Sequence, residues 1–426
     1  MVLTLFLVTW LVLVFLGTPI GMSMVLASLG YFAYAGIGIN FAAQRVVDGL
    51  NSFPIIAVPL FVLAANIFNA SGITGHLFGF ATSLVGHFRG GLGHVNILAS
   101  LFFSGMSGSA LADAGGLGKI EARAMQEAGY PPDLAAVLTA VSAILGPLVP
   151  PSIPMVVYGV VSGASIGGLF LGGIIPGLLC TIAMMVMLYL VALRRHLPVE
   201  RRTTLKEVGQ RFIRSFPALL TPLVIIAGIF SGVFSPTEAA AVTVVYALIV
   251  SKVIYKEMNL GRMWQCLYET VIVSSGIAWI VGGVSMMGIV LAMENAPAQI
   301  TTLFTSMASG PISFLLLTCA LLLVLGCFIE VLALLLVLVP SMVPVAIGYG
   351  IDPVHFGVIV IMTLMIGTLT PPMGMVLFVV AQSHNFPVHK LAIGVIPWLI
   401  PLVIVLLMMI VWPPIVTFLP QLFMGT

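Results

Sequence analysis

Two serines and a carboxylate fall within a few residues at Ser107-Gly-Ser-Ala-Leu-Ala-Asp113, inside a stretch that is otherwise almost wholly apolar. Hydroxyl, carboxylate and glycine-exposed carbonyl oxygens are the groups that hold a hard cation, and helix N-termini attract anions. The cluster therefore reads as an ion or substrate site ahead of the plainer alternative, small residues that let helices pack closely. A second apolar stretch carries Gly326-Cys-Phe-Ile-Glu330, which lacks the serines and supplies one carboxylate instead. An ionisable residue so placed is a functional candidate, with a structural pairing as the alternative.

Two further stretches belong with these. Gly146-Pro-Leu-Val-Pro-Pro-Ser-Ile153 and Gly367-Thr-Leu-Thr-Pro-Pro-Met-Gly374 each interrupt an apolar run with paired prolines. Proline removes a backbone donor and blocks helix continuation, so each predicts a broken helix. In lipid, freed backbone must be satisfied by protein, water or an ion, which places such breaks at a cavity. The hydroxyls of Ser142, Ser152, Thr363, Thr368 and Thr370 flank the breaks and could complete oxygen cages. For Ser142 and Thr363, bonding back to the helix is the alternative.

The two sets are copies. Pro150 and Pro151 stand 221 residues before Pro371 and Pro372, and the same displacement carries Gly105, Gly129 and Gly146 onto Gly326, Gly350 and Gly367. One ungapped register from 105 to 156 predicts an internal repeat.

The elements that position these residues follow from composition. Hydrophobic residues make up 61% of the 426 and charged residues 7%, too few charges to keep a soluble surface wet. Apolar runs of roughly 20 residues recur from end to end, which predicts a polytopic all-α membrane protein. The start of the chain has neither a basic region nor a small-residue cleavage site before Gly17-Thr-Pro19, and reads as a retained helix rather than a signal peptide. Cys180, Cys266, Cys319 and Cys327 lack metal spacing and read as packing residues. His76, His87, His94, His384 and His389 read as interfacial. No phosphate-binding Gly-x-x-x-x-Gly-Lys occurs, so if the chain is a transporter it must draw on an ion gradient. An intramembrane enzyme is disfavoured, because Ser109 and Asp113 have no partnering base in the sequence.

Of fifteen Lys and Arg, seven lie between Arg194 and Arg214. The excess of positive charge on cytoplasmic loops makes 194–215 a cytoplasmic loop, rather than a nucleic-acid patch, with anionic lipid as a contact. Counting from it, residues 1–193 form one repeat and 216–426 an inverted one, with the site at their interface. Residues 216–231, 239–254, 266–290 and 393–419 are expected to cross, as are 53–70 and 167–193, while 1–35 crosses twice about a bend at Gly17-Thr-Pro19. Residues 95–117 and 311–339 are expected to be re-entrant hairpins, with tips at Ser104–Ala110 and Gly326–Glu330. Ser235-Pro-Thr-Glu238 reads as a helix start on the outer side.

The ordered set Asn51-Ser-Phe-Pro-Ile-Ile-Ala-Val-Pro, Gly90-Gly-Leu-Gly-His-Val-Asn, Ser107-Gly-Ser-Ala-Leu-Ala-Asp113, Pro150-Pro-Ser-Ile-Pro, Ser235-Pro-Thr-Glu-Ala and Thr370-Pro-Pro-Met-Gly374 resembles the large membrane subunit of tripartite ATP-independent periplasmic (TRAP) transporters over essentially the whole chain. The resemblance implies an elevator-type, sodium-coupled importer of organic acids in the bacterial inner membrane. It implies a periplasmic binding protein and a small four-helix membrane subunit as partners. Carried over by motif, Ser107, Gly108, Ser109, Asp113, Gly146, Pro150 and Ser152 would form one sodium site. Gly326, Glu330, Gly367, Thr368, Thr370 and Gly374 would form the other. Substrate would lie between the hairpin tips, at Ser107, Ser109, Pro151 and Pro372. Two departures stand out: the family often shows Met and Asp where this chain has Gly326-Cys-Phe-Ile-Glu330, and Ala114-Gly-Gly-Leu-Gly118 is unusually glycine-rich, which could loosen the second hairpin arm. A stand-alone sodium–dicarboxylate symporter of similar architecture is the alternative.

Overall fold

The computed structural model describes residues 2–51, 53–195 and 197–425. Met1 and Ser52, part of the expected first crossing and of the Asn51 motif, lie outside the described residues. All regular structure among the described residues is helical. Six helices are long and apolar enough to cross a membrane, or eight if each of two bent pairs counts as one span. The chain is a multi-pass membrane protein.

The start bends where expected. Val2–Phe15 and Ile20–Tyr34 are separated by Gly17 at φ +85°, a conformation that favours glycine, and by Pro19. The crossing expected at 53–70 is a short turn, Phe53–Ile56, followed by Ala57–Ala70, and Ile73–Val85 then turns away by 73°.

Both hairpins are present with longer return arms than expected. The first descends through Gly91–Ser107, turns at Gly108 in the left-handed region, and returns as Ala110–Gly115 and Leu117–Glu127, ten residues past the expected end at 117. Its return arm is split at Gly116, the glycine-rich spot, where a Cβ would stand 2.8 Å from the Ala112 carbonyl oxygen. The second hairpin runs through Pro311–Gly326, turns at 327–330, and returns as Val331–Gly348, beyond the expected end at 339.

Each proline pair breaks a helix. Pro132–Ser142 and Leu145–Leu148 give way to Ile153–Ser162, and Pro353–Leu369 gives way to Met375–Ser383. The Pro150–Pro151 and Pro371–Pro372 peptide bonds are both cis. The basic stretch 194–215 is a loop only in part. The long helix Ile166–Arg195 carries its first two arginines, and a new helix, Leu205–Phe230, starts where Thr204 and Glu207 form a reciprocal cap. Lys206, Arg211 and Arg214 therefore ride on a helix. The crossing expected at 393–419 is Val388–Val411, stopped by the Pro413-Pro414 pair before Pro414–Met424.

The register of 221 is visible in the element boundaries. Adding it to residues 110–127 gives 331–348, the bounds of Val331–Gly348, and adding it to 132–148 gives 353–369, the bounds of Pro353–Leu369. Packing is reciprocal as well. Ile20–Tyr34 lies against Leu260–Met293, while Pro236–Ile249, the near counterpart of the former, lies against Ala57–Ala70, the counterpart of the latter's second half.

Candidate functional site

In the first half the hairpin tip is seated on the broken helix. The Gly108 carbonyl accepts the Ile153 N–H at 3.4 Å, and a Cβ on Gly108 would stand 2.5 Å from the Pro151 carbonyl oxygen. Proline contributes no N–H at 150 and 151, so this carbonyl-lined backbone can meet the tip directly. The Ser107 hydroxyl donates to the Asp113 carboxylate. The other oxygen of that carboxylate, Oδ2, has no partner and lies 2.6 Å from where a Gly146 Cβ would be. Ser109 caps the short helix Ala110–Gly115, accepting from the Ala112 N–H at 3.4 Å. Ser152 is buried beside them, but its hydroxyl donates to the Pro147 carbonyl and caps Ile153–Ser162 by accepting the Met155 N–H at 3.2 Å.

The second half has the same frame and different contents. Gly326 and Gly367 meet backbone to backbone: a Cβ on Gly367 would stand 3.0 Å from the Gly326 Cα. Glu330 caps Val331–Gly348, accepting the Ala333 N–H at 3.0 Å. The Thr368 and Thr370 hydroxyls donate to their own helix, at 2.7 Å to Met365 and 2.8 Å to Ile366. Thr363 does the same to Ile359 at 2.7 Å, while Ser142 both donates to Thr139 and accepts from Ser100. Gly374 permits the tight turn out of the break, for a Cβ there would stand 2.5 Å from the Thr368 carbonyl oxygen.

Between the halves lies a cavity of about 310 Å³, at the small end of the ligand-pocket range. Its wall includes Gly108 and Ser109 from one tip, Glu330 and Val331 from the other, Pro147 and Thr368 from the breaks, and Ile272 to Ile280 of the helix Leu260–Met293. Of the residues expected to touch substrate, Ser109 lines this wall. Ser107 does not, because its hydroxyl is turned onto Asp113 beneath the surface; Pro151 does not, because its carbonyl is covered by Gly108; and Pro372 is solvent-exposed away from it. Glu330 and Thr368 line it as well.

A buried polar cluster further along the first hairpin escaped the sequence reading. Asn96 Nδ2 donates to Glu121 and lies 3.4 Å from the Thr139 hydroxyl, and all three side chains are buried. Asn96 sits at the end of the Gly90-Gly-Leu-Gly-His-Val-Asn motif, which was the available signal. His94, expected at an interface, is buried in the same arm.

Two hairpins whose tips face one cavity, each seated against a proline-broken helix and repeated in a register of 221, are the frame of a helical membrane protein with a central site. The comparisons make this specific. The family described as tripartite ATP-independent periplasmic transporter, DctM component, matches residues 7–415, and the chain belongs to it. The chain is 51% identical over 417 residues to the sialic acid TRAP transporter large permease protein SiaM of Vibrio cholerae, covering 98% of each. It is 45% identical to the sialic acid TRAP transporter permease protein SiaT of Haemophilus influenzae, covering 98% of this chain and 68% of SiaT. Among solved structures, the YdaH transporter of Alcanivorax borkumensis shares the fold, with a TM-score of 0.64 over 88% of each chain at 14% identity. The family is one of transport components.

Proposed function

We propose that this chain is the translocating subunit of a sodium-coupled importer in the bacterial inner membrane. Its cargo is a carboxylate-bearing solute handed over by a periplasmic binding protein. The names of SiaM and SiaT make sialic acid the first solute to test. A small four-helix membrane subunit is assigned as its partner, and SiaT carries length beyond the part that this chain matches.

The observation that carries the reading is a cavity walled by both hairpin tips and both breaks. Glu330 in that wall would repel an anionic solute, and a cation held between them turns the repulsion into a bridge. The first sodium ion is assigned to the Asp113 oxygen without a partner, beside Ser107, Ser109 and the Gly146 backbone. The second is assigned to the Gly326–Gly367 contact with Glu330, Thr368 and Gly374 near it. The elevator motion carries hairpins and breaks along the apolar face of Ile272 to Ile280, and the concentration of Lys and Arg at 194–214 supports the inverted orientation of the two repeats.

The test is uptake into proteoliposomes holding this chain, the small subunit and external binding protein. An inward sodium gradient is expected to drive accumulation that stops when the gradient is collapsed; uptake undiminished by collapse would contradict the proposal. Uptake that persists without the binding protein would favour a stand-alone symporter.

A further inference from the structure

A second cavity, of about 610 Å³, lies away from the hairpin tips, where the loop before the first hairpin meets the basic stretch. Its wall takes His87 and Arg89 from that loop, Arg202 from the stretch, and Ile182, Val186 and Tyr189 from the helix Ile166–Arg195. Two bonds fold the stretch back toward the loop: the Glu200 N–H donates to the Gly86 carbonyl at 3.0 Å, and the Thr203 hydroxyl donates to the Ser83 carbonyl at 2.7 Å. Arg202 is thereby held on the same cavity as Arg89. Neither guanidinium has an ion-pair or hydrogen-bond partner among the described residues, whereas Arg195 pairs with Asp133 at 3.4 Å and Arg211 donates to the Gly79 carbonyl at 2.8 Å. Glu200 is exposed and pairs with neither arginine. Two like charges on one cavity repel unless an anion lies between them. The rest of the wall is apolar. Residues 182, 186 and 189 share one helix face and form an exposed stripe roughly 10 Å long. A Cβ on Gly90 would stand 3.0 Å from that of Ala192, so the loop bearing Arg89 lies against the Arg195 end of this helix, and the stripe runs away from it.

We propose that this cavity binds one anionic phospholipid, with its phosphate between Arg89 and Arg202 and an acyl chain along Ile182, Val186 and Tyr189. The arginine fork matches phosphate oxygens, and basic pockets at the cytoplasmic ends of membrane helices take such headgroups. A soluble anion would satisfy the arginines and leave the apolar stripe unused. The site narrows the lipid contact expected of the basic stretch to one cavity, and it does not depend on which ion drives transport. A lipid bound there would tie the start of the first hairpin to that stretch.

The experiment titrates the purified full chain, in neutral detergent, with phosphatidylglycerol carrying a fluorescent acyl chain. Saturable binding is expected, about tenfold tighter than for phosphatidylcholine with the same chain, and inorganic phosphate in large excess is expected to displace little of it. The double variant Arg89→Gln with Arg202→Gln should lose about tenfold or more in affinity, and Val186→Asp, which puts a charge on the stripe, should lose severalfold. Arg201→Gln removes a charge from the same stretch outside the wall and should lose less than about twofold. Equal binding of the two lipids, or equal losses in Arg201→Gln and the double variant, would overturn the site in favour of diffuse attraction. Complete displacement by phosphate would overturn it in favour of a soluble anion, and unchanged affinity in Val186→Asp would overturn the seat of the acyl chain. Should the double variant fail to fold, each arginine replaced singly reads the same way at about fivefold.

Discussion

The two half-sites share a backbone and divide the chemistry between them. In the first, polar side chains are turned on one another below the cavity wall: Ser107 onto Asp113, Ser152 onto Pro147 and Met155. In the second the contact is glycine on glycine, the threonine hydroxyls are spent on their own helix, and the one carboxylate, Glu330, is half-buried in the wall of the cavity. Proline and glycine act through backbone geometry, so a repeat can keep them in register while the side chains diverge. The first half is built to enclose a charge, and the second to present one.

Substitutions at the tips should separate the halves most strongly. Gly108→Ala places a Cβ in the left-handed region and 2.5 Å from the Pro151 carbonyl oxygen, a backbone atom that cannot swing aside. Strain and overpacking together should cost about 2–4 kcal/mol and abolish uptake. Gly326→Ala has no such backbone penalty, and its nearest neighbour, the Gly367 Cα, is 3.3 Å away. It should be clearly milder in thermal unfolding, and equal losses in the two variants would mean that the halves are sterically alike.

Ser107→Ala comes next. It leaves a buried carboxylate without its hydroxyl donor, a loss of about 1–3 kcal/mol, which should show as reduced thermal stability and weaker stabilisation by sodium. Its counterpart test in the second half is Glu330→Ala against Glu330→Gln. Alanine removes the cap to the Ala333 N–H, worth about 1 kcal/mol, whereas glutamine keeps an acceptor and loses only the charge. If Glu330 presents charge to the cavity, Glu330→Gln should be stable yet take up solute at a higher sodium requirement; wild-type sodium dependence in that variant would reduce Glu330 to a cap.

The features carried by backbone chemistry were legible in sequence: both breaks, both tips, the bend at Gly17 and the register of 221 each follow from where proline and glycine stand. Element ends were less so. The first hairpin was expected to end at 117, yet Lys119, Arg123 and Glu127 lie on the exposed side of a further helix whose other side carries Leu117, Glu121 and Ala122 inward. The same logic hid Glu121, whose charged neighbours at 119 and 123 make it look solvated until packing shows which face turns in. At 194–215 the density of arginine suggested loop, although Thr204 and Glu207 carry the signature of a helix start. Least legible was the direction of each hydroxyl. Ser109 and Thr368 reach the cavity wall and Ser107 does not, and that depends on rotamer and backbone placement rather than on residue type.

The smallest expected effect is the sharpest on this last point. Thr370 was expected in the second cation cage because it immediately precedes the proline pair, but its hydroxyl donates to the Ile366 carbonyl at 2.8 Å and the residue is absent from the cavity wall. Back-bonding of this kind contributes little to stability, because the carbonyl it reaches also takes part in helix bonding and the hydroxyl competes with it. Thr370→Val keeps the shape and removes the hydroxyl, so stability should change by no more than about 0.5 kcal/mol and the sodium concentration for half-maximal uptake should stay at the wild-type value. If it instead rises severalfold, the hydroxyl must leave Ile366 to meet an ion during transport. The second half would then enclose a charge as the first does, and the contrast between the two would belong to one state of the cycle rather than to the molecule.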